Sequence, residues 1–165
     1  MEIVPINTEV KLKLSKWNED PEMRKLLGFQ SVALSNPDFD VFLNEIHDGR
    51  KNFVFGARDS DNGIVGVFML DKVDARHKRA FWHVAFDKDH REHTKEFTKL
   101  FFDYIFIENG FRQLNCLVPN FNEAMKKFAS KLGFKQNCIL KDYFLLEKGW
   151  EDAVMYSLLK EKRKV

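Results

Sequence analysis

A strand–turn–helix–turn–strand pattern between residues 114 and 134 constrains the fold more than any other stretch of the chain. An apolar run, Leu114–Val118, precedes a segment in which apolar residues recur at helical spacing. These residues are Phe121, Ala124, Met125, Phe128, Ala129 and Leu132. Asn120 is predicted to cap the helix, with Glu123 as the acid of a capping box, and Gly133 to end it. A buried strand joined in this way to a helix and a further strand is typical of an α/β sheet.

The whole sequence predicts seven strands and four helical segments. Strands are predicted at 3–6, 52–57, 64–70, 80–86, 113–118, 137–146 and 153–159. Helices are predicted within 8–27 and at 39–46 and 94–108, besides the one after Asn120. The 8–27 segment is predicted to be interrupted at 18–21, where Asp20 followed by Pro21 indicates a helix start. Loops are predicted at 28–38 and 71–79. The expected fold class is therefore α/β, with a single mixed, largely antiparallel twisted sheet of about seven strands and about four helices. We expect one domain over residues 1–165, ending in a frayed basic tail at 159–165.

Charge and cysteine content exclude several classes of protein. The net charge of +2 over 165 residues is too small to indicate a nucleic-acid partner. The two cysteines lie in apolar runs and do not make a disulfide framework, which favours a reducing, cytoplasmic location. No apolar run is long enough to span a membrane, and no signal segment is expected at the N-terminus.

Four segments, in a fixed order, carry a resemblance to a known family. Gly63–Gly66 resembles a turn into an apolar strand, and the unit from Ala80 to Phe106 resembles a strand, a polar loop and a helix that hold a cofactor. Asn122–Phe134 and the closing segment Gly149–Leu158 complete the set. Together they resemble the GNAT superfamily (Gcn5-related N-acetyltransferases), and more narrowly its ribosomal-protein N-terminal acetyltransferase-like branch.

The resemblance implies the acyl-CoA N-acyltransferase (GNAT) fold, with a splayed pair of parallel strands at 80–86 and 113–118. It implies acetyl-CoA as cosubstrate, with the pyrophosphate at the N-terminus of the helix that follows the first of these strands. By this resemblance and by charge, the cofactor-binding residues are expected to be Val84, Phe86, Arg91, His93, Thr94, Lys95, Asn122, Phe128 and Lys131. The reaction it implies is direct attack of a primary amine of a peptide, protein or small molecule on the thioester.

The positions at which the family often carries acid and base groups are occupied here by Phe81, Met125 and Ala129. Three other residues are therefore candidates for the chemistry. His83 could act as a base, because imidazole titrates near neutral pH. Tyr143 could donate a proton, and Asp152 could hold an ammonium group; the alternative for all three is a purely structural role. The histidines do not have the spacing of a metal site, so no metal is expected.

The loop expected to bind the pyrophosphate contains no glycine, since none occurs between Gly66 and Gly110. Glycine lets the backbone approach phosphate oxygens closely. Two functions therefore remain open at this point: an acetyl-CoA-dependent N-acetyltransferase, or a catalytically degenerate GNAT-fold protein that acts as a protein-binding module. The expected partner of the enzyme is an amine acceptor, with no nucleic acid or membrane, and the protein is expected to be a monomer or homodimer.

Overall fold

The computed structural model describes residues 1–27 and 33–164. The strands are β1 Glu2–Pro5, β2 Phe53–Asp59, β3 Gly63–Asp74, β4 Arg79–Phe86, β5 Gln113–Pro119, β6 Lys135–Leu146 and β7 Gly149–Leu159. The helices are α1 Thr8–Glu19, α2 Pro21–Leu26, α3 Asn36–Ile46, α4 Thr94–Phe102 and α5 Glu123–Leu132. Short 3-10 turns occupy Lys88–His93 and Lys160–Lys162, and a π-helical turn occupies Asp103–Glu108.

The seven strands form one sheet in the order β1-β2-β3-β4-β5-β7-β6. The β1–β2, β2–β3, β5–β7 and β6–β7 pairs are antiparallel, whereas β4 and β5 are parallel. The parallel pairing joins Arg79–Phe81 to Gln113–Asn115, and both strands continue past it. The predicted fold class, a mixed and largely antiparallel sheet covered by helices, is confirmed.

The helices differ from the prediction in number and in their starting points. The described residues form five α-helices rather than about four. The predicted interruption within 8–27 is confirmed, because the segment divides at Asp20, whose carboxylate accepts hydrogen bonds from the Glu22 and Met23 amides. Helix α3 begins at Asn36, within the predicted 28–38 loop, since Ser35 caps it. Of that loop, residues 28–32 lie outside the described residues.

The chain divides into two compact units. The first comprises Met1–Val73 and His83–Phe101. Its core has an aliphatic and an aromatic part. The aliphatic part includes Val10, Leu14, Val54, Ile64 and Val67. The aromatic part centres on Phe68, whose ring stacks on Phe101 at 4.4 Å between centroids and meets Phe86 edge-on at 5.7 Å. A fully buried aromatic face thus anchors α4 to the sheet.

The second unit comprises Asp74–Trp82 and the chain from Phe102 onward. The buried Trp82 ring stacks on Phe134 at 5.3 Å and meets Phe102 at 5.5 Å. Gly133 ends α5 with φ +103°, a conformation that favours glycine, and an added Cβ would lie 2.3 Å from the Lys162 carbonyl oxygen. Here the predicted end of α5 is confirmed.

The basic end of the chain, which the sequence predicts to fray, makes contacts as far as Lys164. Its backbone amide donates to the Leu132 carbonyl at 2.9 Å, and Arg163 pairs with Asp103 at 2.7 Å. Both cysteines are free thiols, and burial raises the pKa of Cys116 to about 12. No helix in the described part of the chain has the length and apolarity needed to cross a membrane.

Candidate functional site

His83, the predicted base, lies on β4 in the first unit and contacts a carboxylate on β3. Its Nε2 is 3.0 Å from Oδ1 of Asp71, and both side chains are accessible, 42% and 35% exposed respectively. Asp71 was missed by the sequence reasoning, which assigned 71–79 to a loop. That assignment was wrong for its first residues, because β3 continues to Asp74. Residues 71–74 belong to a strand although their sequence is mostly polar, because their side chains are partly exposed to solvent.

The Asp71 carboxylate is ionised at neutral pH. Burial alone would raise its pKa, but the hydrogen bond from His83 and the charges of His83 and Lys72 outweigh it, so the pKa is lowered. An ionised carboxylate can only accept hydrogen bonds. The Nε2 nitrogen of His83 therefore donates to Asp71, and in the neutral imidazole the Nδ1 nitrogen is left as a proton acceptor.

The last residues of β4 are buried or half-buried. Phe86 is buried, and its ring lies 2.6 Å from where a Cβ on Gly66 would be, which explains the glycine there. Val84 is half-buried. The side chain of Phe86 therefore packs in the core, and the resemblance assigns a ligand contact only to the backbone amides of Phe86 and Val84.

The 3-10 turn at Lys88–His93 stands where the family has its glycine-containing loop. No residue of this turn has a positive φ; in the described chain the non-glycine residues with positive φ are Lys72, Lys78 and Asp142. The turn runs directly into α4 at Thr94. The backbone is helical except at His90, where φ is −128° and ψ is 17°, and because no φ is positive, glycine is not required for its conformation. The His90 amide donates to the Asp87 carbonyl, and the Thr94 amide donates to the Arg91 carbonyl.

Two of the side chains predicted to bind phosphate, Arg91 and His93, lie next to carboxylates in the first unit. Arg91 lies 3.4 Å from Glu22 at the start of α2. Glu22 also pairs with Lys88, which was not among the predicted residues, and the hydrogen bond between them raises the pKa of Lys88. His93 is 3.5 Å from Glu92. Exposed ion pairs of this kind are weak, so a phosphate group could displace them.

Asn122, the residue predicted to contact the cofactor arm, is the N-cap of α5 in the second unit. Its Oδ1 accepts a hydrogen bond from the Met125 amide at 3.1 Å, which leaves the side-chain NH₂ as the group able to bind a ligand. The predicted cap at Asn120 was wrong, because a turn in which the Asn122 amide donates to the Pro119 carbonyl delays the helix.

The helix after this cap differs from the predicted amphipathic face at its start. Glu123 pairs with Lys126 at 2.6 Å instead of forming a capping box. Phe121 and Ala124 are exposed, whereas Ala129 and Leu132 are buried. Of the predicted cofactor-binding residues on α5, Phe128 is half-buried and Lys131 is exposed.

Asp152 and Tyr143, the other predicted catalytic residues, lie at an irregular part of the β6–β7 pair in the second unit. The carboxylate of Asp152 accepts from Lys141 Nζ at 2.9 Å and from the Asp142 amide at 3.0 Å. These two contacts lower its pKa, the Lys141 bond most. The ammonium group of Lys141 thus already pairs with the carboxylate that we predicted to hold the ammonium group of the acceptor. Tyr143 is exposed and meets the Phe144 ring edge-on at 5.1 Å.

The candidate residues therefore fall into two groups. His83, Val84, Phe86, Arg91, His93, Thr94 and Lys95 follow one another along β4, the 3-10 turn and α4 in the first unit. Asn122, Phe128 and Lys131 on α5, with Tyr143 and Asp152 on β6 and β7, belong to the second. Within residues 1–27 and 33–164, no cluster of three His, Cys, Asp or Glu side chains could hold a metal ion.

Comparisons with known proteins agree with this architecture. The profile of the acetyltransferase (GNAT) domain matches residues 10–155. A Bacillus subtilis (strain 168) relative, the SPbeta prophage-derived uncharacterized N-acetyltransferase YokL, is 24% identical over 115 residues, which are 68% of this chain and 65% of that protein. The chain thus spans slightly under two thirds of this curated relative.

Solved structures share the fold at low sequence identity. Spermidine N-acetyltransferase from Vibrio cholerae, crystallised with CoA and spermine, is 15% identical, with a TM-score of 0.83 over 97% of this chain and 95% of that one. A GCN5-related N-acetyltransferase from Brucella melitensis is 17% identical, with a TM-score of 0.78 over 97% of this chain and 76% of that one. With the family profile covering most of its length, the chain belongs to the GNAT acetyltransferase domain family.

Proposed function

We propose that this protein is an acetyl-CoA-dependent N-acetyltransferase that transfers the acetyl group to a primary amine. The observation that carries the proposal is the 3-10 turn at Lys88–His93, which runs into α4 without a positive φ. The N-terminus of a helix favours an anion through the helix dipole, and the conformation of this turn does not require glycine. The missing glycines are therefore compatible with pyrophosphate binding at the start of α4.

The contacts to acetyl-CoA in this proposal follow from the resemblance, residue by residue. The amides of Val84 and Phe86 pair with the pantetheine arm. The pyrophosphate lies at the start of α4, by Thr94, with charge from Arg91, His93 and Lys95. The Asn122 NH₂ donates to the arm, and Phe128 and Lys131 supply an apolar and a charged contact.

The proposed chemistry needs one group that accepts a proton from the amine. His83 does so through Nδ1, after which the nitrogen forms a C–N bond to the thioester carbonyl carbon and the C–S bond breaks with its electron pair on sulfur. The nitrogen then loses its second proton. The thiolate of CoA takes up a proton from Tyr143, the candidate donor, and one of the protons released by the nitrogen replaces it while the other leaves to solvent. In this scheme Asp152 holds the ammonium group of the acceptor, which replaces Lys141 as the partner of the carboxylate.

Binding and turnover test the proposal directly. Wild-type protein is expected to bind acetyl-CoA in titration calorimetry, to gain thermal stability from it, and to release free thiol when an amine acceptor is added. The double variant Arg91→Ala/Lys95→Ala is expected to bind at least about tenfold more weakly, because charge-assisted contacts to phosphate are lost. Lys148→Ala, in the turn between β6 and β7, is the matched control and should bind normally. No binding at roughly millimolar acetyl-CoA would overturn the proposal.

The contact between Glu22 and Arg91 gives a second expectation. Glu22→Gln is expected to tighten acetyl-CoA binding about two- to fivefold at low salt, because the carboxylate no longer competes for Arg91. The gain should shrink at about 0.5 M NaCl, where exposed charges are screened. Calorimetry at both salt concentrations measures it, and Glu2→Gln, which removes a partner of Arg58, is the control. Weaker binding by the Glu22 variant would contradict the proposed role of Arg91.

Two acceptor classes follow from different observations. The closing segment Gly149–Leu158 resembles the ribosomal-protein branch and favours the N-terminal amine of a peptide. The fold neighbours crystallised as spermidine acetyltransferases favour a polyamine. Thiol release measured with peptides bearing free or blocked N-termini, and with spermidine and spermine, separates the two. We expect a cytoplasmic protein that binds neither nucleic acid nor membrane, as a monomer or homodimer that light scattering distinguishes.

A second candidate function is a protein-binding module without catalysis. It is favoured by exposed apolar side chains at the end of the β6–β7 hairpin, where the paired residues Leu145 and Trp150 are 67% and 62% exposed. The positions of the family's usual acid and base residues also carry Phe81, Met125 and Ala129. Thioester cleavage that depends on an amine acceptor and is lost on removing His83 would exclude this function.

A further inference from the structure

We propose that Asp71 is a positioning residue that holds His83 in the tautomer with Nδ1 free, so that Nδ1 is the atom that takes the acceptor's proton. The inference rests on the proposed acetyltransferase function. It assigns a role to a residue that lies outside every segment carrying the family resemblance. Its basis is the 3.0 Å contact between His83 Nε2 and Asp71 Oδ1, which joins two strands of the sheet rather than two loops.

The backbone next to Asp71 is constrained. Lys72 has a φ of +51°, in the left-handed region that lysine seldom adopts and that strains the backbone. The Lys72 amide donates to Asn52 Oδ1 at 3.2 Å, and the Val73 amide to the Lys51 carbonyl at 2.9 Å. Irregular residues in strands commonly redirect a neighbouring side chain, and they cluster next to functional sites. The strand is thus held in an unusual conformation beside the carboxylate that contacts His83.

The chemistry explains why a carboxylate is useful at this position. A neutral imidazole free of partners exchanges between two tautomers and rotates its ring. An ionised carboxylate accepts only from an N–H, so it selects the Nε2–H form and keeps Nδ1 basic. When Nδ1 takes a proton, the imidazolium that forms lies next to a negative charge, which stabilises it. The charge of Lys72 also lowers the pKa of Asp71 and so acts in the opposite sense to burial.

The protons of the proposed step balance without a further reactant. The acceptor ammonium loses one proton to His83 Nδ1, and its lone pair forms the C–N bond to the acetyl carbonyl carbon. The C–S bond breaks with its electron pair on sulfur, and the amide nitrogen loses a second proton. One of these protons ends on the CoA thiol, and the other leaves to solvent through His83. No oxidant, reductant or metal takes part.

The test uses Asp71→Asn, which keeps the size of the side chain and its ability to accept a hydrogen bond but removes the charge. We expect kcat to fall about ten- to a hundredfold, a part of what a general base contributes, with the KM for acetyl-CoA unchanged. Asp71→Glu should recover part of the loss. Asp74→Asn is the matched control, because Asp74 pairs with His77 in another histidine–aspartate contact, at 2.8 Å.

A second readout is independent of turnover. Long-range ¹H–¹⁵N NMR correlations of the His83 ring are expected to show the Nε2–H tautomer in the wild type and a mixture in Asp71→Asn. An Nδ1–H tautomer in the wild type would overturn the inference. So would a wild-type kcat in Asp71→Asn while His83→Ala remains slow, and this result would leave the proposed function standing. If wild-type protein releases no thiol with any amine, the proposed function fails, and that outcome is distinguishable from the other two.

Discussion

Replacing His83 with alanine is expected to lower kcat for acetyl transfer by at least about 10²-fold, the lower end of what a positioned general base contributes. The acceptor amine is protonated at neutral pH and cannot attack the thioester until a proton is removed. His83 is accessible on β4, and its partner Asp71 leaves Nδ1 free for this task. His83 also directly precedes Val84, whose backbone amide we propose to pair with the pantetheine arm.

The measurement is steady-state thiol release at saturating acetyl-CoA, with calorimetry to show that acetyl-CoA still binds. Because the side chain is partly exposed, its removal should change the free energy of unfolding by less than about 1 kcal/mol. His77→Ala is the control, since His77 also pairs with an aspartate but lies in the turn between β3 and β4. A His83→Ala protein that turns over at the wild-type rate would show that another group, or solvent, removes the proton.

Replacing Phe101 with alanine is expected to lower the free energy of unfolding by about 3–5 kcal/mol, as for other buried aromatic residues. Phe101 is fully buried, stacks on Phe68 at 4.4 Å, and meets the edge of the Phe55 ring at 5.5 Å. The substitution removes these contacts and leaves a cavity that large, rigid rings fill poorly. Since α4 is anchored by this residue, the helix start that we propose for pyrophosphate binding also loses its support.

Urea unfolding followed by far-UV circular dichroism measures the loss. Leu100→Ala is the control on the same helix, because Leu100 is 39% exposed and should cost far less. Acetyl-CoA binding by the fraction of Phe101→Ala protein that remains folded should weaken as well. A loss under about 1 kcal/mol would mean that the surrounding rings collapse into the space, contrary to the close packing described.

The local pattern of the sequence was sufficient to locate strands and helix ends wherever these depend on the burial and backbone conformation of a few consecutive residues. The alternation of apolar residues located the strands, and Asp20–Pro21 located the division between α1 and α2. Gly133 ends its helix as predicted, since a left-handed residue with no room for a Cβ leaves little choice. By the same reasoning the mixed sheet with helices could be predicted, and with the ordered segments so could the family.

The sequence predicted which candidate residues lie together only where these residues are consecutive in the chain. His83 and the residues from Val84 to Lys95 are close because they are consecutive along β4 and its turn. The Asn120 cap was wrong because either asparagine fits the local pattern, and the hydrogen bond of the Asn122 amide to Pro119 decides between them. Glu22, which competes for the proposed phosphate cations, is 69 residues from Arg91 and leaves no local signal.

By itself, therefore, the sequence predicted most elements and the fold class, and through the resemblance it indicated the segment from β4 onward that we propose to bind the cofactor. Only the tertiary structure decided that β3 runs on to Asp74 and brings Asp71 against His83. Hydrophobic periodicity reports whether a side chain is buried. It does not report which half-exposed polar groups face each other across neighbouring strands, and that pairing is the contact on which the proposed chemistry depends.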